Sequence, residues 1–220
     1  MPTSSNLLQM NPFDFSNFQK ILCLGCHSDD IEIGAGGTML RLIESNPKLE
    51  VYWVVFSGSP ERQLEARRSA EKFLEHVEHK TILTLDFAEN IFPQQVPALK
   101  VQLNEIRTEF QPDLIFTQRR DDSHQDHFTL GELTWNAFRA HTILEYEIAK
   151  YDGDLGQPNV FVGLTPELAK RKTQLLLEYF GTQGVKHWFD EETFLGLMRL
   201  RGLESATRYA EGFYARKVMI

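Results

Sequence analysis

The amino-acid sequence predicts an α/β fold with a mainly parallel sheet covered by helices on both faces. The apolar runs at Lys20–Cys26 (KILCLGC) and Val51–Ser57 (VYWVVFS) lack the polar alternation of a sheet with one solvated face. Segments with helical periodicity separate such runs, as expected when helices connect parallel strands. A chain of 220 residues fits one domain of this kind. We therefore expect a single domain over residues 1–220, with residues 1–18 forming a loose N-terminal arm.

The first half of the chain alternates between strand and helix. After the strand at Lys20–Cys26, a short helix over Gly36–Ser45 should stop at Asn46, because the residue before a proline avoids the helical conformation. The second strand, Val51–Ser57, is followed by a helix over Glu61–Glu78 with its apolar residues on one face. The remaining predicted elements of this half are a strand at Thr81–Phe87, a helix at Val96–Phe110 and a strand at Asp113–Thr117.

The second half is less regular. A polar loop leads into a helix from His124 to about Ala140. Pro166 follows Thr165 at the first turn of another helix, a position where the missing N–H of proline is tolerated. The other predicted elements are helices at Pro166–Phe180 and Thr193–Ala206 and strands at Leu144–Tyr151, Asn159–Val162 and Gly212–Val218.

Composition excludes several classes of protein. A formal net charge of -8 provides no basic surface for a phosphate backbone, so we expect no nucleic-acid partner. The longest apolar runs are about five residues, short of the ~20 that span a bilayer, so we expect no membrane segment. Met1–Phe18 lacks the basic and apolar regions of a signal peptide. Cys23 and Cys26 should face opposite sides of one strand, which disfavours a disulfide and suits a cytoplasmic location.

Two polar clusters each follow a predicted strand: His27-Ser28-Asp29-Asp30 and His124-Gln125-Asp126-His127. In open parallel sheets the ligand lies in the crevice at the carboxyl ends of the strands, so both clusters should meet at one rim. Together they offer two imidazoles and a carboxylate for a divalent metal, with one carboxylate and one imidazole to spare. A mononuclear zinc hydrolase requires this set of groups.

The second cluster has the sequence of a helix start. Ser123 as N-cap and Asp126 in the N3 position resemble a capping box. His124 and His127 would then share one helical face, so that one can bind the metal while the other faces the same cavity. The alternative for this cluster is a solvated helix start with two surface histidines.

The first cluster places two acids directly after a buried strand, which is costly unless a cation or amides neutralise them. His27 and Asp30 can point at one metal across a tight turn, leaving Asp29 free to accept a proton from water. An acidic loop that caps the next helix is the alternative, but it explains only one of the aspartates.

A glycine-rich segment, Gly34–Thr38, follows at once. Such a turn can cradle phosphates, and a nucleotide-binding module is therefore an alternative function. Met39 stands where the dinucleotide fingerprint needs its third glycine, and the upstream aspartates would repel a pyrophosphate. We interpret the glycines as allowing close backbone approach to the metal loop.

The combined pattern resembles the PIG-L/LmbE-like family of zinc-dependent N-acetylglucosaminyl de-N-acetylases. The His27–Asp30 cluster with Gly36-Gly37-Thr38 is similar to the family's HPDD…GGT motif, with Ser28 in place of proline, and the second cluster is similar to its H-x-D-H motif. Two weaker likenesses are an R…E pair at Arg62 and Glu65 and an AE-x-F element at Ala210–Phe213. The likeness spans roughly residues 20–218.

This resemblance implies a Rossmann-like three-layer fold and removal of an acetyl group from an N-acetylated amino sugar or its conjugate. Three residues would bind one Zn²⁺ per chain: His27, Asp30 and His127. Asp29 would be the general base for a zinc-activated water that attacks the amide carbonyl. His124 would stabilise the oxyanion or act as an acid, and Asp126 would orient a histidine. Arg62 could offer a local contact to a substrate phosphate or hydroxyl.

The expected partner is a small N-acetyl sugar, and assembly into a homo-oligomer is left open. Among enzymes, a metal-dependent phosphoesterase is the alternative, although paired metals usually need more bridging carboxylates than these clusters provide. His187 and Trp188 could wall a sugar pocket, and a structural role for the histidine is an equal alternative. The sequence assigns no role to Glu211.

Overall fold

The computed structural model describes residues 17–46 and 48–218. One sheet of seven strands is flanked by helices on both faces, which confirms the predicted α/β fold. The strands are β1 Lys20–Gly25, β2 Glu50–Ser57, β3 His79–Phe87, β4 Leu114–Gln118, β5 Thr142–Tyr146, β6 Val160–Leu164 and β7 Tyr209–Tyr214. The helices are α1 Asp30–Ser45, α2 Pro60–Phe73, α3 Val96–Glu109, α4 Gln125–Ala137, α5 Pro166–Tyr179 and α6 Glu191–Glu204.

The strand order is β3-β2-β1-β4-β5-β7-β6. Strands β1 to β5 pair in parallel, whereas β7 runs antiparallel to both β5 and β6. Strands β2 and β3 lie on one side of β1 in the sheet, and β4 and β5 lie on its other side. The carboxyl ends of β1 and β4 therefore flank the topological switch point, where ligands bind in open α/β sheets.

Both faces of the sheet are buried under helices, and alternate strand residues serve different layers. In β1, Ile21 and Cys23 pack in the layer of α1, α2, α5 and α6, and Leu22 and Leu24 pack in the layer of α3 and α4. Cys26 lies in the second of these layers, so the two cysteines face opposite sides, and both are free thiols. The prediction that the two cysteines face opposite sides of the sheet is confirmed.

The start of α1 differs most from the sequence prediction. The helix begins at Asp30 and not at Gly36, so the glycine-rich segment lies inside a buried helix instead of a turn. A Cβ on Gly34 would overlap the ring of Tyr146, and one on Gly37 would overlap Leu164. The low helix propensity of glycine is outweighed because only glycine permits this close packing against the sheet.

The buried ion pair of Lys172 and Glu211 contacts the backbone in the middle of α1. The Gly37 and Thr38 amides donate to the Glu211 carboxylate at 2.8 and 2.7 Å. The Lys172 ammonium donates to that carboxylate and to the Ile33 carbonyl, both at 2.6 Å. Glu211 and Lys172 thus form hydrogen bonds with backbone N–H and C=O groups in this stretch of the helix. This gives the late AE-x-F element a structural role.

Smaller differences affect the ends of elements. The predicted strand Leu144–Tyr151 is observed as Thr142–Tyr146, and the residues that follow it form a loop. Residues 1–16 of the predicted N-terminal arm lie outside the described residues, and Phe18 packs against the core. Within the described part of the chain, no helix has both the length and the apolar character needed to cross a membrane.

Candidate metal and active site

The two sequence clusters meet at the rim of the sheet, as predicted. His27 follows β1, and Asp29 and Asp30 stand at the start of α1. His124 and His127 lie at the start of α4, which follows β4. The buried strands thus fix the positions of both clusters.

Three donor atoms form a compact triangle at this rim. His27 Nδ1 lies 3.2 Å from His127 Nε2, and Asp30 Oδ2 lies 3.5 Å from the first and 3.4 Å from the second. Tetrahedral ligands at the ~2.1 Å bond length typical of zinc are separated by about 3.4 Å. The three side chains therefore fit one divalent metal without rearrangement, and their nitrogen and oxygen donors suit zinc.

The outer nitrogen of each histidine in the triangle is held by a carboxylate. His127 Nδ1 lies 3.0 Å from Asp122 Oδ2, and His27 Nε2 lies 3.2 Å from Asp126 Oδ2. A carboxylate accepts only, so these nitrogens carry protons, and the opposite nitrogens face the triangle, where a bound metal would displace the protons that they carry. This carboxylate–histidine arrangement is the usual support of a metal site.

Asp126 is itself fixed by the backbone of a neighbouring loop. Its carboxylate accepts the Asn90 amide at 2.6 Å and the Phe92 amide at 3.0 Å, and its side chain is fully buried. It therefore contacts His27 as a positioning residue and does not line the cleft.

His124, and not Ser123, is the N-cap of α4. Its Nδ1 accepts the Asp126 amide at 3.2 Å, so the predicted capping box at Ser123 is wrong by one residue. Since Nδ1 uses its lone pair there, the neutral ring carries its proton on Nε2. Burial and the nearby charges of His127 and His27 lower the pKa of His124, which keeps it neutral.

The His124 tautomer bears on a second possible set of metal ligands, in which His124 would replace Asp30. The donors of His27, His124 and His127 also lie within 4.8 Å of one another. For His124 Nε2 to bind a metal, the ring would have to lose its last proton. His124 is therefore a hydrogen-bond donor toward the site, and its ring stacks on His127 with centroids 4.7 Å apart.

A third set joins Cys26 to Asp30 and His127. Burial and then the charge of Asp30 raise the pKa of the Cys26 thiol well above its usual value. The thiol stays protonated in these surroundings and lacks the thiolate needed for metal binding.

The charges of the triangle stabilise each other. Burial alone would lower the pKa values of both histidines. The Asp30 charge, with hydrogen bonds to carboxylates, instead raises the pKa of His27 to about 10 and that of His127 to about 9. Burial likewise disfavours ionised Asp30, yet the two histidines hold its pKa well below the usual value. A divalent cation would replace the protons that balance this charge.

Asp29 stands beside the triangle and takes no part in it. Its Oδ1 accepts from Arg62 Nη2 at 3.3 Å, and Arg62 Nη1 donates to Glu89 at 2.6 Å. Burial and the Asp30 charge raise the pKa of Asp29, and the cations of Arg62 and Lys186 partly offset this rise. Asp29 is thus a carboxylate of increased basicity, oriented by an arginine.

These groups open into a cleft of about 280 Å³. His27, Asp29, Asp30, His124 and His127 all line it, together with Arg62. The structure therefore brings together all the sequence-predicted site residues except Asp126, which supports His27 from behind. The outer wall comes from distant segments and contains Ile148, Lys150, Tyr151, Lys186 and Trp188.

Sequence reasoning missed three supporting residues. Gln118 donates to Asp30 Oδ2 at 2.5 Å, Asp122 holds His127, and Lys150 pairs with Asp122 at 3.0 Å. Gln118 ends β4 and Asp122 lies in the loop after it. The rule that ligands bind at the carboxyl ends of parallel strands, which identified His124, therefore applies to both residues as well. No comparable signal marks Lys150.

The sequence profile of the PIG-L family, described as GlcNAc-PI de-N-acetylase, matches residues 22–138, just over half of the chain. The chain belongs to the PIG-L family. The matched segment runs from β1 through α4 and includes every member of the triangle, so the resemblance inferred from the two clusters is confirmed.

Solved structures share the fold over nearly the whole chain. The N,N'-diacetylchitobiose deacetylase of Pyrococcus horikoshii has a TM-score of 0.70 at 23% identity, over 93% of this chain and 87% of its own. Teicoplanin deacetylase Orf2, in a zinc-inhibited form, has a TM-score of 0.68 at 16% identity, over 90% and 97%. GalB, the 4-carboxy-2-hydroxymuconate hydratase of Pseudomonas putida, has a TM-score of 0.74 at 16% identity, over 92% and 98%. At these identities the likeness establishes the LmbE-like fold.

Proposed function

We propose that this PIG-L family member is a metal-dependent hydrolase that removes the acetyl group from an N-acetylated amino sugar or its conjugate. The observation that carries the proposal is the triangle of His27, Asp30 and His127 with two further groups beside it. One is a basic carboxylate, Asp29, and the other is a neutral N–H donor, His124. Family membership supports the reaction, and the amide substrate suits this set of groups.

His27, Asp30 and His127 would hold the ion, and zinc is the ion that their donors suit best. When bound, a divalent metal in such a site increases the acidity of water and polarises a carbonyl group. The protein residues then have separate tasks. Asp122 and Asp126 hold the protons on the outer nitrogens of the histidines, so the inner nitrogens would bind the metal once it displaces their protons, and Gln118 fixes Asp30.

Asp29 is the proposed general base. Arg62 holds Oδ1, whereas Oδ2 makes no hydrogen bond within the described part of the chain. That oxygen can accept a proton from water as the water oxygen bonds to the amide carbon. The proton then passes to the sugar nitrogen as the carbon–nitrogen bond breaks, which gives acetate and a free amine.

His124 is the proposed oxyanion donor. Its Nε2 proton, fixed by the bond from the Asp126 amide to Nδ1, can stabilise the negative charge that develops on the carbonyl oxygen. A neutral imidazole suits this role because it donates a hydrogen bond without delivering the proton.

The alternatives have less support. Two-metal phosphoesterases need carboxylates that bridge the ions, and the donors near the triangle fit one ion. A nucleotide-binding module would rely on a phosphate-cradling turn, and the Gly34–Thr38 segment lies inside buried α1.

The test is acetate release from a panel of N-acetylglucosamine derivatives by the metal-free and the zinc-loaded protein. We expect zinc-dependent release from at least one derivative, and loss of release in Asp29→Asn with zinc still bound. Cleavage of a simple phosphate ester without any acetate release would instead support the phosphoesterase.

A further inference from the structure

Asn90 is one of two non-glycine residues with a left-handed backbone in the described ranges. Its φ is 66°, and the other such residue is Ala206, with a φ of 55°. This conformation is costly for a residue with a Cβ, least so for asparagine and most for β-branched residues. It persists where the surrounding contacts enforce it, and such residues cluster at functional sites. Asn90 lines the cleft, whereas Ala206 does not.

The turn at Asn90 brings two backbone amides onto one carboxylate. Asn90 N donates to Asp126 Oδ2 at 2.6 Å, and Phe92 N donates to Asp126 Oδ1 at 3.0 Å. A turn that contains a left-handed residue can form a concave site of this kind, in which backbone N–H groups surround an anion. Here the anion is a fully buried side chain of the protein itself.

The bound carboxylate in turn holds a proposed metal ligand. Asp126 Oδ2, the oxygen that accepts the Asn90 amide, lies 3.2 Å from His27 Nε2. If the two amides moved away, Asp126 would be a buried carboxylate with too few donors, and it would turn toward other ones. His27 would then lose the acceptor that keeps a proton on Nε2 and turns Nδ1 toward the triangle. Two hydrogen bonds thus connect the backbone angle of Asn90 to the metal-facing atom of His27.

The loop around Asn90 is fixed on both sides. The Gln95 side chain bonds the N–H and the carbonyl of Ala88 at 3.1 and 2.8 Å, and the Gln125 side chain donates to the Asn90 carbonyl. Phe92 is buried in the core. These contacts hold the two amides in place and enforce an angle that most residues avoid.

We propose that the left-handed backbone of Asn90 is a positioning device for the metal site, which acts through Asp126 on His27. The inference rests on the proposed function, because it concerns the metal site of the same enzyme. It assigns the role to the backbone angle and gives the Asn90 side chain no part in metal binding. Glycine at this position should therefore preserve the site, and a residue that avoids positive φ should weaken it.

The test measures zinc affinity by competition with a chromogenic chelator at neutral pH. Asn90→Gly removes the side chain and keeps the angle accessible, so its zinc affinity should stay within about twofold of the wild type. Asn90→Val removes the same amide group but disfavours the angle, so its zinc affinity should fall ~10-fold or more, as for the loss of a group that supports a ligand. Asn90→Ala should fall between the two, and it takes the place of the valine variant if that variant does not fold.

Ala206→Val is the matched control for backbone strain. It places valine at the other left-handed position, in the turn between α6 and β7. We expect a lower thermal midpoint in this variant, with unchanged zinc affinity. Asp126→Ala tests whether the effect passes through Asp126. This variant should lower zinc affinity, and adding Asn90→Val to it should cause no further loss, because the turn then holds no carboxylate.

Three results would each overturn the proposal. The first is wild-type zinc affinity in Asn90→Val, or in Asn90→Ala where that variant takes its place. The second is an equal loss in Asn90→Gly, which would assign the effect to the side chain. The third is a loss in Ala206→Val, or full additivity of Asn90→Val with Asp126→Ala, since either would point to general destabilisation.

Zinc affinity also separates this inference from the proposed function. Asn90 variants that follow the expected order, in a protein that releases no acetate from any sugar, would support the positioning role and refute the hydrolysis. Acetate release by the wild type, with equal zinc affinity in all Asn90 variants, would refute only the positioning role. A wild type that binds no zinc would refute both.

Discussion

Replacing Asp122 by asparagine should weaken zinc binding about 10- to 100-fold, although Asp122 is not a proposed ligand. One carboxylate oxygen, Oδ1, accepts the His124 amide at 2.7 Å. The other, Oδ2, lies 3.0 Å from His127 Nδ1 and 3.0 Å from the Lys150 ammonium. Both oxygens thus face donors, and the site needs two acceptors.

Asparagine has only one acceptor oxygen. If that oxygen stays on the His124 amide, the new NH₂ group faces the His127 proton and the Lys150 ammonium. If the amide is flipped, the NH₂ group faces the His124 amide instead. Either orientation loses at least one hydrogen bond to a charged group, worth about 1.5–3 kcal/mol. The first also favours the tautomer of His127 that places a proton toward the metal.

The assay is competition for zinc with a chromogenic chelator at neutral pH. Asp154→Asn is the matched control, because Asp154 also binds Lys150 and the Ser123 amide but forms no hydrogen bond or ion pair with a histidine among the described residues. We expect wild-type affinity in that control. Unchanged zinc affinity in Asp122→Asn, while His127→Ala loses the metal, would show that Asp122 does not set the tautomer of His127.

Four further predictions follow from the same geometry. Asp29→Asn should keep zinc and lower turnover ~10²-fold or more, as expected for a lost general base; near-normal turnover would exclude Asp29 from that role. His124→Ala should lower kcat by the equivalent of roughly 2.7–4 kcal/mol with zinc still bound, and His127→Ala should lose zinc; equal metal loss in both would contradict the separation of roles. Zinc affinity should rise with pH up to the histidine pKa values of about 10 for His27 and about 9 for His127, since below both values the metal must displace protons. Calorimetry near neutral pH in buffers of different ionisation enthalpy should show close to two protons released per zinc, and release of none would be inconsistent with this account. Lys172→Met should lower the free energy of unfolding by about 3–5 kcal/mol in urea denaturation, because Glu211 stays buried without its cation; the exposed Lys170→Met serves as control, and equal stability of the two variants would argue against the role given to the pair.

Sequence patterns alone were sufficient to predict the strand-helix alternation and the meeting of the two polar clusters at one rim. Buried strands such as Val51–Ser57 are recognised because both faces of a parallel sheet exclude water. The topological rule then places the residues that follow β1 and β4 at one rim, which predicts that His27 and His127 lie close together. The family resemblance added the reaction and the division between ligands and base.

Local patterns failed where long-range packing decides. The glycine-rich segment Gly34–Thr38 has the composition of a turn, and the local pattern predicts that α1 begins only at Gly36. The fold extends the helix back to Asp30, because Tyr146 and Leu164 need the space of a missing side chain and the Lys172–Glu211 pair satisfies backbone groups. These partners come from distant parts of the chain, so no local window contains them.

Strand burial is evident from the amino-acid sequence, and it predicts that the two polar clusters reach the rim of the sheet. Contacts between distant segments set the tautomer and the orientation of each side chain there. The His124 Nδ1 atom accepts the Asp126 amide, which places the proton of the neutral ring on Nε2, and Asp122 holds His127 Nδ1, which turns Nε2 of His127 toward the triangle. Lys186 enters the same cleft from a loop that no motif marks. Protonation and charge balance depend on distances of about 3 Å between atoms far apart in the chain, and only the folded structure sets those distances.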